Sequence, residues 1–257
     1  MAKKQITIPV FVPEEACPNR CIYCNQFVIS GTPECLTEKE IVKTIETYCS
    51  TIKDNTHVEL GFFGGNFTGI PIDRMEHLLK IVNPYIQKGI IDAIRVSTRP
   101  DYIDDERLTM LKYYGVKTIE MGVQSMNDHI LDFAGRGHTA KDVRIASAMI
   151  KDQDFRLGLQ MMIGLPFDTL ADDLATARAF LELSCDDVRI YPVVVLKNTV
   201  LHQYYDKGAY IPLSVEEAAK RTAEVMKVFI ENHVNIIRVG LHPSKNITEG
   251  EEFIAGP

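Results

Sequence analysis

The chain has 257 residues, 46% hydrophobic and 25% charged, with a net charge of −7. That is core enough for one large domain, which buries roughly 75% of its unfolded surface, and the acidic balance gives no global basic field to attract nucleic acid. No apolar run approaches the roughly 18 residues of a membrane span, and the opening MAKKQITIPVFVPEE, broken by Pro9 and Pro13, is not a secretory signal.

In chain order, residues 6–12 predict a buried strand, followed directly by CPNRCIYC at 17–24. Thr37 and Glu40 predict a capping box that opens a helix to about Cys49. Residues 57–63 are a second strand and lead into GGNFTGIP; Asp73 to Gln87 is helical, with a bend expected near Pro84. Residues 93–98 form a third strand, and a helix from Asp104 to Tyr114 is closed by Gly115. Residues 118–125 form a fourth strand, and two helices, from Asn127 and from Thr139, are separated by GRGH. Residues 156–166 hold a fifth strand and its loop, and Thr169 to Leu183 a helix. Residues 187–196 form a sixth strand, Ser214 to Asn232 a long helix, and 235–241 a last strand.

This alternation predicts a parallel sheet with helices outside it. Right-handed crossovers curl six such units into a partial (β/α)6 barrel, short of the eight that close the common barrel. Residues 1–242 read as one domain, and 243–257 as a polar tail, the mark of a truncated piece. The unusual residues sit just past the C-terminal ends of strands, where parallel α/β folds gather their ligand-binding groups.

Cys17, Cys21 and Cys24 place three thiols within eight residues. Closed zinc sites take four ligands and iron–sulfur clusters are usually held by four cysteines, so a cluster here leaves one position open to a non-protein ligand. Clustered cysteines in a large unsecreted chain indicate metal binding in a reducing compartment, with the cytoplasm as the expected location. Cys35, Cys49 and Cys185 lie at helix-like positions without ligand spacing. Gly64 and Gly65 permit positive φ and close backbone approach; read alone they are a tight strand-to-helix turn. Arg99 and Asp101 suit a local ion pair. His138 suits a cap on the following helix. Met161 and Met162 suit the core. Lys197, Arg238 and His242 could face a substrate or solvent.

The Cys17, Cys21, Cys24 spacing resembles the signature of the radical S-adenosylmethionine (SAM) superfamily, in which three cysteines hold a 4Fe–4S cluster and SAM chelates the fourth iron. FFGGNFTGIP and RVSTRPDYI resemble segments of the Elongator catalytic subunit family. Asn66 stands where that family usually has Thr or Glu, and Ser97 where it has an acidic SAM contact. GVQSMNDHILDFAGRGHT resembles both that family and the oxygen-independent coproporphyrinogen oxidases, and the stretch from Tyr191 through Lys197 to Tyr210 again resembles Elongator. The cysteine spacing is shorter than Elongator's, and nothing remains after this core to form its acetyltransferase domain.

The resemblance implies a radical SAM enzyme that cleaves SAM reductively to methionine and a 5′-deoxyadenosyl radical, which takes hydrogen from a substrate. It implies cluster ligation by Cys17, Cys21 and Cys24, and SAM contacts from Tyr23, Gly64, Gly65, Asn66, Gln124 (ribose), Arg136 (carboxylate), Ile163 and Gly164 (adenine). It also implies an electron donor such as flavodoxin or ferredoxin, and a tRNA uridine or a tetrapyrrole or other small molecule as substrate. Two further readings stand beside it: a zinc-stabilised binding module with a fourth protein ligand, and an inactive cluster-bearing subunit.

Overall fold

Strands β1 (Lys4–Phe11) and β2 (Thr56–Phe63) run parallel, with Lys4 opposite Thr56 and Phe11 opposite Phe63. They start a sheet whose strands follow one another in chain order. The structure, a computed structural model, describes residues 4–12, 17, 21–30, 36–52, 55–241 and 252–257; Cys35 and His242, both singled out above, lie outside the described residues. Between β1 and β2 come α1 (Gln26–Ser30) and α2 (Glu38–Cys49). Then follow α3 (Ile72–Gln87), β3 (Ala93–Thr98), α4 (Asp105–Tyr113), β4 (Val116–Gln124), α5 (Asp128–Phe133) and α6 (Ala140–Asp152). The chain continues through β5 (Arg156–Ile163), α7 (Leu170–Glu182), β6 (Asp187–Pro192), β7 (Val195–Leu196) and α8 (Val200–Asp206). It ends with α9 (Val215–Glu231), β8 (Asn235–Val239) and β9 (Phe253–Ala255).

Local chemistry starts the helices where the sequence indicates. Thr37 and Glu40 form the expected capping box, and the same device recurs at Thr139 with Asp142, Thr169 with Asp172, and Ser214 with Glu217. Each satisfies backbone donors that the first helical turn leaves unpaired. Helix α3 runs through Pro84 to Gln87. The stretch read as one sixth strand is two, β6 and β7, because Pro192 has no N–H to continue the ladder. Helices α1 and α8 and strand β9 were not expected; each is seven residues or shorter, too short for a periodic signal. Cys185 lies in the loop between α7 and β6 rather than in a helix.

The main sheet has seven parallel strands in the order β1, β2, β3, β4, β5, β6, β8, curled into an open half-barrel. Arg95 on β3 demonstrates the curl: it bonds Asp187 on β6 at 3.3 Å, although three strands of a flat sheet span about 14 Å. The outward faces of the strands, with Leu60, Ile94, Ile119, Leu159 and Val188, pack on the helices in one large core. The inward face is polar low in the barrel. Arg95 bridges Glu59 (2.8 Å), Glu120 (2.9 Å) and Asp187, Arg189 pairs with Glu120, and Arg156 with Asp187. Among the described residues no helix is long and apolar enough to cross a membrane.

A second apolar cluster covers the barrel's C-terminal end. It joins Ile22, Tyr23, Ile130, Leu165, Val193 and Leu201, with Ile254 and Ala255 of the tail packed against it. The tail returns as β9, antiparallel to β7.

Candidate active site

The cysteine segment after β1 is held by backbone bonds from distant elements. Ile22 N–H donates to the Ala134 carbonyl (3.1 Å), and Leu201 N–H donates to the Ile22 carbonyl (2.8 Å). The Asn25 amide donates to the Lys197 carbonyl at 3.3 Å. The helix after β4 and the segment after β6 thus fix where the thiols lie. Cys17, Cys21 and Cys24 are in no disulfide among the described residues and line one cavity of about 240 Å³ with Gly65, Ser97, Gly122, Gln124, Arg136 and Gln160. Among the described residues no three His, Cys, Asp or Glu side chains converge on a single-ion site. A polynuclear cluster does not require such convergence, because each iron takes its own thiolate. Burial, reinforced by neighbouring Cys21, pushes the Cys24 thiol up to about 12, and the Gln26 amide at 3.4 Å opposes this only in part.

Arg136 lies at the centre of the polar wall. Its Nη1 donates to Cys21 Sγ at 3.2 Å and to the Tyr23 hydroxyl at 3.3 Å, and its Nη2 donates to the Gly122 carbonyl. A Cβ at Gly122 would stand 3.1 Å from the Gln124 amide nitrogen and 3.4 Å from Arg136 Nη2, so these side chains would have to give by a few tenths of an ångström. Gln124 itself has φ 76, beside a register shift between β4 and β5. A non-glycine residue held in that region is a local cost of order 1–3 kcal/mol, concentrated at functional positions. Here it turns a strand-end amide into the cavity.

Among the described residues, four buried polar atoms of the cavity lining have no hydrogen-bond partner: Gln26 Oε1, Ser97 Oγ, Gln124 Oε1 and Arg136 Nε. Each unmet group costs about 1–3 kcal/mol, so the cavity is built for a polar occupant. Three thiols, a guanidinium and neutral amide and hydroxyl groups match the donor set that an iron–sulfur cluster with a zwitterionic, ribose-bearing ligand requires.

The expected residues divide into two groups. Cys17, Cys21, Tyr23, Cys24, Gly65, Gln124 and Arg136 meet on the cavity. Gly64, with φ 105, shapes the turn beside it. Asn66 is not itself a lining residue: its Oδ1 accepts from the hydroxyl of Thr98 (2.8 Å) and the N–H of Arg99 (3.3 Å), two residues that do line the cavity, and so ties the β2 and β3 loops together. Ile163 belongs to the main core, with its carbonyl taken by Val193 N–H (2.9 Å). Gly164 N–H donates to Asp168 (2.8 Å), and its carbonyl accepts from the Tyr210 hydroxyl (2.7 Å).

Arg99 and Asp101 form the expected pair, at 2.8 and 3.0 Å, and Arg99 also donates to the Arg136 carbonyl at 2.6 Å. Thr139 rather than His138 caps α6. His138 instead binds the Val123 carbonyl at 3.2 Å; burial and the Arg136 and Arg99 cations press it down to about 4, so it is neutral. Met161 is core, and Met162 packs beneath the second cluster. Gln26, Thr98, Arg99, Gly122 and Gln160 line the cavity without having been expected there. For Gln160 the strand alternation that puts Leu159 and Met161 outward was the available signal; Gln26, beside the thiols, had none.

Two family profiles match. The one described as Radical SAM superfamily covers residues 12–180, and the one described as Radical_SAM C-terminal domain covers 185–257. The chain is 26% identical to the tRNA uridine(34) acetyltransferase of Dehalococcoides mccartyi over 87% of its own length and 56% of that protein's. It is 26% identical to the heme chaperone HemW of Bacillus subtilis over 90% of its length and 64% of that protein's. The chain therefore spans little more than half of these curated relatives. Among solved structures, the archaeal Elp3 of Methanocaldococcus infernus with an N-terminus deletion superposes with a TM-score of 0.76 at 20% identity, over all of this chain and 60% of that one.

Proposed function

The chain belongs to the radical SAM superfamily, and on that premise we propose that the cavity walled by Cys17, Cys21 and Cys24 is where its cofactors bind and act. The cofactors of this family are a 4Fe–4S cluster and SAM. When bound, they supply reductive cleavage of SAM to methionine and a 5′-deoxyadenosyl radical that takes hydrogen from a substrate.

The chain's own residues hold and shield that chemistry. The three thiols would hold the cluster, and its loading would require release of the proton that burial favours on Cys24. Arg136 braces Cys21 and offers its free Nε to a carboxylate. Gln124 offers its unpaired amide oxygen to ribose hydroxyls. Gly64 and Gly65 let the backbone approach an amino group. Ser97 and Gln26 supply neutral acceptors where a charge is absent. Ile163 and Gly164, with their peptide groups already engaged, serve adenine by shape alone. The second apolar cluster keeps water from the thiol side.

The observation that carries this reading is the set of unsatisfied polar atoms on one thiol-lined cavity. A tRNA uridine is the substrate class we favour, from the likeness to a tRNA uridine(34) acetyltransferase. A tetrapyrrole is the second, from the likeness to a heme chaperone. Flavodoxin or ferredoxin is the proposed electron donor.

The test is anaerobic. The protein is reconstituted with iron and sulfide, reduced with dithionite and given SAM, and 5′-deoxyadenosine is measured beside a Cys21→Ala control. Formation in the intact protein alone supports the reading, and stimulation by tRNA or by haem selects the substrate class. Stoichiometric zinc with no cluster would sink it.

A further inference from the structure

Register pairs Gly122 with Gln160, Gln160 with Arg189 and, just past an irregularity between β6 and β8, Arg189 with Arg238; the electrostatic reach of Arg238 to Tyr191 puts it on the inner face. Gly122 and Gln160 line the cavity, and β8 is the edge strand of the sheet. The row therefore runs from the cavity to the open side of the half-barrel and ends in two arginines. Arg189 is fully committed: it donates to Glu120 at 2.5 Å and lies over the Phe63 ring at 5.6 Å. Arg238, half-buried, is not. Among the described residues no carboxylate lies within ion-pair distance of it.

The charge balance makes the surplus specific. Among the described residues of the inner face, Glu59, Glu120 and Asp187 are matched by Arg95, Arg156 and Arg189. Arg238 is one guanidinium beyond that balance, and it stands beside another of like charge, which is unfavourable unless an anion intervenes. The Tyr191 hydroxyl, two residues beyond Arg189 on the same face, accepts a hydrogen bond from the Arg189 side chain, which leaves its own proton to donate, and lies within electrostatic reach of Arg238. A guanidinium fork next to a phenolic donor, both half-buried, is a recognition element for an oxyanion.

We propose that Arg238, with the Tyr191 hydroxyl, binds an oxyanionic group, phosphate or carboxylate, of the molecule that reacts in the cavity. The inference rests on the cavity being the reaction site. Two strand spacings separate Arg238 from Gln160, so the substrate carries its anionic group roughly 10 Å from the cavity wall. A nucleotide phosphate and a carboxylated small molecule share this chemistry.

The test is a titration of the full chain, labelled with 15N-arginine and without added cofactor. The Arg238 Nε–H signal is assigned with Arg238→Lys, whose fold is checked by its urea midpoint. Inorganic phosphate and acetate are added separately, with chloride at equal ionic strength as control. A saturable shift of Arg238 that chloride does not reproduce, with Arg189 unmoved and with roughly tenfold weaker binding in Tyr191→Phe, supports the proposal. Tighter phosphate identifies a phosphorylated substrate; tighter acetate identifies a carboxylated one. A linear drift equal to that in chloride overturns it. SAM cleavage is scored on a separate sample. Cleavage with a flat titration removes this inference alone; a saturable titration without cleavage removes the functional reading and leaves an anion site with no reacting molecule assigned to it.

Discussion

Arg136 donates a hydrogen bond to Cys21 Sγ at 3.2 Å across 115 residues of sequence. The bond couples the loop after β4 to the thiol segment after β1, so a change at Arg136 acts on both the cluster and the polar wall. Charge-assisted hydrogen bonds contribute about 1.5–3 kcal/mol. Arg136→Gln is expected to lower iron retention after reconstitution and to weaken SAM binding by roughly 10- to 100-fold. Iron analysis and equilibrium dialysis with SAM check it; unchanged values for both would remove Arg136 from the site.

Gly122→Ala tests the polar wall without touching a charge. The new methyl would press on the Gln124 amide and Arg136 Nη2. A neighbour displaced by a few tenths of an ångström loses its aim before the fold is lost. The expected outcome is weaker SAM binding, roughly tenfold, with a urea midpoint close to that of the parent protein. A large fall in the midpoint with normal SAM binding would mean that the position matters only for packing.

The inner ion network predicts a stability effect remote from the thiols. Arg95 satisfies three carboxylates at once. Removing it leaves uncompensated buried charge, which costs about 3–5 kcal/mol. Arg95→Gln should lower the unfolding free energy by that amount in urea titrations, whereas Arg144→Gln, whose pair with Glu182 is exposed, should cost less than about 1 kcal/mol.

Asp168 and Asp173 share one guanidinium, that of Arg221, at 3.1 and 2.5 Å. Burial and the neighbouring Asp168 charge raise Asp173 from 3.8 to about 8, against the pull of Arg221. A raised carboxyl means that the native state holds a proton the unfolded chain has released. Stability from this group is therefore full below about pH 4 and falls as pH rises towards 8. Urea midpoints should drop between pH 6 and about pH 8.5 in the parent protein and flatten in Asp173→Asn. An equal slope in both would place the titration elsewhere.

The order of strands and helices, the Thr37 capping box, the thiol spacing and the gathering of special residues at strand ends were all legible in the sequence. They depend on contacts a few residues apart or on periods of 2 and 3.6. Gln124 and Arg136 were legible through family likeness. The network round Arg95 was not. Its partners lie 25 to 92 residues away, and alternation alone does not say which face of a strand becomes the inside of a barrel. Nor did the sequence show that the Asn66 side chain would be bonded to Thr98, or that Gly164 would already be bonded to Asp168 and Tyr210. Those outcomes follow from the curl of the sheet, which brings β3 to β6, and from the return of α8 and β9 over the thiol segment. Short-range preferences set which elements form. The need to satisfy every buried polar group in the closed interior decided which side chains meet there and which were left free to bind a ligand.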